Sequence, residues 1–371
     1  MTVLSGIDAA GVRRAAIGIL PFVIALAFAG MLVVLVGEDP LEAFRLILEG
    51  SLGSPDKISD TVMVWVPLTL AAAGLVVTFA AGLWNIGVEG QIVLGAIGAS
   101  FIARSLDAPW FIVVPLALIA GVLFGIAWAL FAGILKTRGK VNEIFGGLGL
   151  NFVATGLTLY LIIGPWARPG IASTSGTEPF PREAWLPALE GSRFSPLAVV
   201  LTIAAVIGVW LLLRGTRVGL KLKAVGRNTQ SARLLGIPTD RYLLGAFVMC
   251  GALAGLAGAI QATGFHHKLV PAVSGGYGFL GIVVVLLAGF RAAYVAPIAA
   301  FFAIVSVGSI ALTLRLDVNS ALGGVLTGVL VLFALIASGL RSYRERNREA
   351  GALPPEQPPS GPPPTSGVRA R

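Results

Sequence analysis

The chain has 371 residues, 56% hydrophobic and 12% charged, with a mean hydropathy of +0.89 and a formal net charge of +9. A soluble domain carries about 25% charged residues, so too little polar surface remains for water and most of the outer face must meet lipid. The single cysteine, Cys250, excludes an internal disulfide and a cysteine-rich metal site.

Residues 1–14 end on Arg13 and Arg14, and a charge-free run follows over 15–37. Ala25-Leu26-Ala27 has the form of a signal cleavage site. Yet a signal h-region is about 7–15 residues long, so a spanning helix is the better reading. Residues 38–60 form an acidic loop, in which 40–48 reads as a short amphipathic helix lying at the membrane interface. Charge-free runs then recur over 61–88, 108–135, 144–167, 194–213, 242–265, 269–290, 292–314 and 318–340. Each is long enough to cross about 30 Å of hydrocarbon as a helix. A shorter stretch over 90–103, preceded by Glu89, brings the expected spans to ten. The segment 166–193 is the second large external loop, and 214–241 the longest cytoplasmic one. Residues 341–371 carry Pro354, Pro355, Pro358, Pro359 and Pro362 and read as an extended, disordered tail.

An even number of spans puts both termini on one side. Taking that side as cytoplasmic divides the 27 basic residues 19 inside to 8 outside, the asymmetry of the positive-inside rule. The basic excess is therefore accounted for by orientation in a cell membrane and calls for no nucleic acid.

The spans group as five plus five, repeat one over about 15–167 and repeat two over about 195–340. The third span of each half is broken by glycine. One opens with Asn85-Ile86-Gly87-Val88-Glu89-Gly90-Gln91, the other with Pro271-Ala272-Val273-Ser274-Gly275-Gly276-Tyr277-Gly278-Phe279-Leu280-Gly281. Five spans per half invert the second half. Paired interruptions in an inverted repeat point to a pathway near the membrane midplane. The expected fold is thus an all-α integral membrane protein of about ten transmembrane helices in two inverted five-helix repeats. Glu89 is the one acid placed at membrane depth, where an ionisable group usually has a function. A carboxylate held by backbone N–H groups at a helix N-terminus accounts for it equally well.

Other patterns carry less. Gly276 to Gly281 matches GxGxxG but lacks the strand and the acidic residue of a dinucleotide site. His266 and His267 are adjacent and share no helix face, so they do not form a metal pair. Gly251 with Gly255, and Gly324 with Gly328, are accounted for by helix packing. Neither a P-loop nor HExxH is present.

The cytoplasmic segment holds Asn228 or Thr229 as a helix cap, Gly236 as its end and Pro238 as its stop. Two turns carrying Arg233, Leu234 and Leu235 suit docking into a groove on a soluble partner, although a basic orientation loop has the same composition.

This stretch, Ala224-Val225-Gly226 to Gly236-Ile237, resembles the coupling helix of ABC importer permeases of the branched-chain amino acid and ribose type. The N-I-G-V-E-G-Q string and Leu94-Gly95-Ala96, with Gly276–Gly281, resemble the nucleoside or simple-sugar branch. Glu143 to Asn151 keeps that family's Glu, Ile, Leu and Asn but has Gly149 where Met is usual. The resemblance runs from about residue 15 to 340. It implies a non-catalytic subunit that forms the translocation path and takes no cofactor itself, ATP and Mg being bound by a separate ATP-binding subunit. It also implies a second permease, identical or paralogous, and an extracytoplasmic solute-binding protein. Gly226, Arg227, Asn228, Ala232, Arg233, Leu234, Gly236 and Ile237 would contact the ATPase. Asn85, Glu89, Gln91, Tyr277 and Phe279 would line the path for a nucleoside, meeting ribose by hydrogen bonds and the base by an apolar slot. A simple sugar or an amino acid in the same importer class is the alternative solute. An ion-coupled secondary transporter would show more intramembrane acids, and a scaffold would have no reason to break its helices.

Overall fold

A computed structural model describes residues 37–170 and 174–315, with single helical positions between 27 and 35 and between 324 and 336. The predicted tail and most of the first and tenth predicted spans lie outside these residues. Every regular element among them is helical.

Helix α1 (Pro40–Leu52) starts on a proline whose missing N–H is no loss at that position, and Asp39 caps it by accepting from the Leu41 N–H at 2.8 Å. One face of it packs against the bundle. Ala43, Leu46 and Ile47 are buried, and Gly308 of the last described helix rests on the Ile47 main chain. Helix α2 (Pro55–Ala80) is capped by Ser54, so it begins before the charge-free run: the run marks the hydrocarbon part of the helix, while the cap marks its start. A turn with Gly82 at φ +75° leads into α3 (Val88–Ser105). Helices α4 (Trp110–Thr137), α5 (Glu143–Ile163) and α6 (Pro196–Gly215) follow, the last two capped by Asn142 and Ser195.

The segment 214–241 is more ordered than its charge suggests. Helix α7 (Arg217–Arg227) is capped by Thr216, and α8 (Thr229–Leu234) by Asn228, which accepts from the Ser231 N–H at 2.9 Å. Gly236, at φ +75°, ends α8. Helix α9 (Thr239–Ile260) runs on into a π-helical turn, Gln261–His266. Residues 267–276 are not helical, and α10 (Tyr277–Leu287) is only 11 residues long, where the sequence predicts a full span. Helix α11 (Ala292–Arg315) completes the described chain.

Among the described residues, α2, α4, α5, α6, α9 with its π-turn, and α11 are long and apolar enough to cross a membrane. Helix α2 is the axis of the bundle: 83% of its apolar window is buried, against 17% for α6. Helix α9 packs on α2, α3 and α4, and α2 also meets α6, α10 and α11. Phe111, Leu123, Phe145, Phe152, Val200 and Leu211 of α4, α5 and α6 point outward, as hydrocarbon-facing side chains do.

In lipid, apolar side chains gain little by leaving the solvent, so close packing of small residues holds helices together. The α3–α4–α9 crossing shows this. Gly95 of α3 abuts Gly255 of α9, Gly121 and Gly125 of α4 abut Gly255 and Gly251, and Gly258 abuts the Ile92 carbonyl. A methyl group at any of these would overlap main-chain atoms or a neighbouring methyl.

Candidate functional site

The two glycine interruptions meet. Glu89, in the first turn of α3, is buried, and its Oε2 accepts the Gly278 N–H of α10 at 2.8 Å. The Ser274 side chain and the N–H groups of Gly276 and Phe279 also face this carboxylate. These are the N–H groups that a helix start leaves without intrahelical acceptors, and the helix dipole there favours negative charge. Glu89 therefore serves a helix N-terminus, but that of α10 rather than its own. The approach is close because Gly278 has no side chain. A Cβ on Gly278 would stand 2.5 Å from Glu89 Oε2 and 2.7 Å from its backbone nitrogen.

Asn85 and Gln91 are buried and hydrogen bonded to each other. The Asn85 Nδ2 donates to Gln91 Oε1 and the Gln91 Nε2 to Asn85 Oδ1, both at 3.2 Å. Asn85 Nδ2 also lies 3.2 Å from Cys250 Sγ of α9. This amide pair staples the turn before α3 to the first turn of α3. Tyr277 is half-buried, its hydroxyl turned toward Gln261 in the π-turn. Phe279 is 44% exposed. Of the five predicted path residues, then, Glu89 contacts the α10 start that carries Tyr277 and Phe279, and Asn85 and Gln91 satisfy one another beside it.

Asn151, the last residue of the Glu143–Asn151 string, joins the same site from α5. Its Oδ1 accepts the Gly90 N–H at 2.8 Å and its Nδ2 donates to the Ile86 carbonyl at 3.0 Å. One side chain of α5 thus supplies partners to a donor and an acceptor that the interruption leaves orphaned. Its signal was a lone amide in an otherwise apolar span.

At one end of the bundle, Gly226 at the end of α7 lies against the Ala80 carbonyl and the Gly82 nitrogen. Ala232 is buried, whereas Arg227, Asn228 and Gly236 are exposed and Ile237 is half-buried. Leu234 and Leu235 stand 85% and 79% exposed. Arg233 pairs with Asp240 at 3.3 Å, both well exposed.

At the opposite end of α9 the loop between α5 and α6 docks on the π-turn. The Leu186 N–H donates to the Thr263 carbonyl at 3.0 Å, and Phe180 N–H to the His267 carbonyl at 2.8 Å. Trp185 stacks on His267, with ring centroids 3.8 Å apart. A cavity of about 590 Å³ opens there between Trp110, Arg182, Trp185, Leu186, Gly264 and His267. Burial, and secondarily the Arg193 charge, push the His267 imidazole from 6.5 down to about 4. Its neutral form thus belongs to the docked loop. That contribution is full above the ordinary pKa of 6.5 and is lost as pH falls through about 4. Thermal melts of wild type and His267→Phe, which keeps a ring but cannot titrate, should run parallel above pH 7. The wild type should lose stability relative to the variant between pH 6.5 and 4.

Among the described residues no cluster of His, Cys, Asp or Glu could hold a metal ion. The sequence profile described as "Branched-chain amino acid transport system / permease component" matches residues 57–335. A glucose ABC transporter permease protein of Haloferax volcanii is 30% identical over 336 residues, covering 88% of both chains. A guanosine ABC transporter permease protein of Bacillus subtilis is 26% identical over 90% of this chain and 97% of its own. A nucleoside ABC transporter permease protein of Lactococcus lactis is 27% identical over 75% of this chain and 79% of its own. The chain belongs to this family of permease components: it is a multi-pass, non-catalytic membrane subunit of an ABC transporter, whose ATPase is a separate subunit and which also contains a second permease.

Proposed function

We propose that this permease forms the translocation path of an ATP-driven importer of nucleosides, with the solute passing the junction of α3 and α10. The observation that carries the reading is the Glu89 to Gly278 hydrogen bond, which brings the two interruptions of the sequence to one place. In the full arrangement ten spans form two inverted five-helix repeats with both termini cytoplasmic. An extracytoplasmic binding protein delivers solute, and lipid surrounds the outward side chains. Glu89 and the Asn85–Gln91 pair shape the path, and Tyr277 and Phe279 present a hydroxyl and a ring to ribose and base. Engagement of Glu89 with backbone N–H groups leaves it ill suited to relay protons, which favours ATP over ion coupling. The glucose permease relative favours a simple sugar as the second reading.

Uptake of radiolabelled nucleosides and sugars, in cells with and without this gene, tests the proposal. ATP-dependent uptake of a nucleoside that vanishes with the gene supports it. Sugar uptake alone moves the assignment to the second reading, and uptake abolished by a proton uncoupler at constant ATP defeats both.

The segment 226–237 contacts the ATPase in this reading, with Leu234 and Leu235 as the apolar knob. The Arg233 ion pair is exposed and so worth about 0–1 kcal/mol to the fold. Arg233→Glu should therefore insert normally, yet recover at least tenfold less ATPase on co-purification. Gly236→Trp adds left-handed strain of about 1–2 kcal/mol and should act alike. Normal ATPase recovery with both variants would remove this segment from the interface.

A further inference from the structure

The π-helical turn at the end of α9 carries a polar atom that is left without a hydrogen-bond partner. Gln261 is 2% exposed, and its side-chain oxygen is buried without a hydrogen-bond partner. A buried polar atom left unpaired is destabilising. The Ser59 and Thr69 hydroxyls and the Trp128 indole nitrogen are also unpaired, but each lies within a continuous helix. Gln261 alone sits where a helix changes register. A π-turn admits one extra residue per turn and is found mostly at functional positions. Here it re-aims the side chain toward the Tyr277 hydroxyl at the head of α10, one residue before the N–H that Glu89 accepts. Three residues further along the turn, Gly264 forms part of the floor of the external cavity, covered by Leu186 and Met63. Gln261 is therefore one helical turn below that cavity, beside the junction.

We infer that the Gln261 side-chain oxygen is a solute acceptor that selects for an O–H or N–H donor on a neutral, polyhydroxylated or heterocyclic solute. It acts as a specificity-determining group that the sequence reading did not name. The inference rests on the reading of the α3–α10 junction as the solute path. A site built to hydrogen-bond a donor rejects the analogue that lacks it, because its own buried group then stays unpaired. In the closed arrangement the oxygen stays unpaired, and the bound solute supplies its partner.

The test uses the complete transporter in proteoliposomes, wild type and Gln261→Met, a near-isostere without the oxygen. Probes are adenosine, 2′-deoxyadenosine and purine riboside, which lack in turn a ribose hydroxyl and the base amine, together with glucose and its monodeoxy analogues. In the wild type, deletion of one particular donor should lower uptake efficiency about tenfold. In Gln261→Met the parent solute should fall to the level of that analogue, and the difference should vanish. The melting temperature of Gln261→Met should stay close to that of wild type, since removal of the orphaned acceptor offsets loss of the amide's contact with the Tyr277 hydroxyl. A glutamine needed only for packing would give the reverse, with lower stability and discrimination kept. Unchanged discrimination in Gln261→Met, absence of discrimination in wild type, or a clear loss of stability would each overturn the assignment. A wild type that takes up none of the probes instead overturns the path reading beneath it.

Discussion

Glu89→Gln should lower solute uptake by more than about tenfold, while membrane insertion and ATPase recovery stay near wild type. Hydrogen bonds to a charged acceptor contribute about 1.5–3 kcal/mol each, and about 1.4 kcal/mol is a tenfold change. The carboxylate offers two acceptor oxygens to the N–H of Gly278 and to the donors at Ser274, Gly276 and Phe279. Glutamine keeps one oxygen and turns an NH2 donor toward the same cluster of donors. The start of α10, which carries Tyr277 and Phe279, then loses its anchor to α3. Glu89→Ala should be at least as severe, because it removes both oxygens. The measurement is uptake by the reconstituted transporter, with protein quantity matched. Wild-type rates in Glu89→Gln would take this carboxylate out of transport altogether.

Gly258→Ala should produce the largest loss of folded protein of any single methyl addition among the described glycines. The new Cβ would fall on the Ile92 carbonyl and within 2.7 Å of the Ala96 nitrogen. Both are main-chain atoms of α3, whose own hydrogen bonds hold them, so neither can rotate aside. The alternative is for α3 and α9 to move apart, which also separates Gly95 from Gly255. Overpacking typically destabilises by about 1–3 kcal/mol, against a total of about 5–15 kcal/mol for a folded protein. Recovery of monodisperse protein in detergent should drop sharply. Gly149→Ala on α5 is the matched control. Nothing lies within 4 Å of its added Cβ, so the gain in helix propensity of about 1 kcal/mol should appear alone. Equal yields from both variants would mean that α3 and α9 are not in close contact.

Local signals made much of this fold legible. Charge-free runs located α2, α4, α5, α6, α9 and α11, because length and apolarity are properties of a segment by itself. The Asn228 cap and the Gly236 stop of α8 were readable for the same reason. What the runs do not encode is where a helix extends into polar residues, so the early start of α2 and the whole of α7 were missed. The span predicted over 269–290 contains Pro271, Gly275 and Gly276, and the chain is helical there only from Tyr277. The candidate site was legible in part. Glycine breaks marked both interruptions, but the Glu89 to Gly278 contact joins residues 189 positions apart, and no local pattern records such a distance. The same holds for Asn151, which clamps a turn 65 residues earlier. The π-turn had no signal, since Gln261 interrupts neither the apolar run nor the charge pattern.

The junction of Gly226 with Ala80 and Gly82 constrains how force crosses this subunit. Where the end of α7 meets the turn that leads to Asn85, the atoms nearest Gly226 and Gly82 are main-chain atoms of the other segment. A side chain can absorb a small displacement by changing rotamer, but an amide plane cannot. Any stroke delivered to the end of α7 must therefore be shared by the 80–82 turn, three residues ahead of Asn85, or the contact must break. The linkage has no slack, and a bulky residue at either glycine would jam it as surely as cutting it.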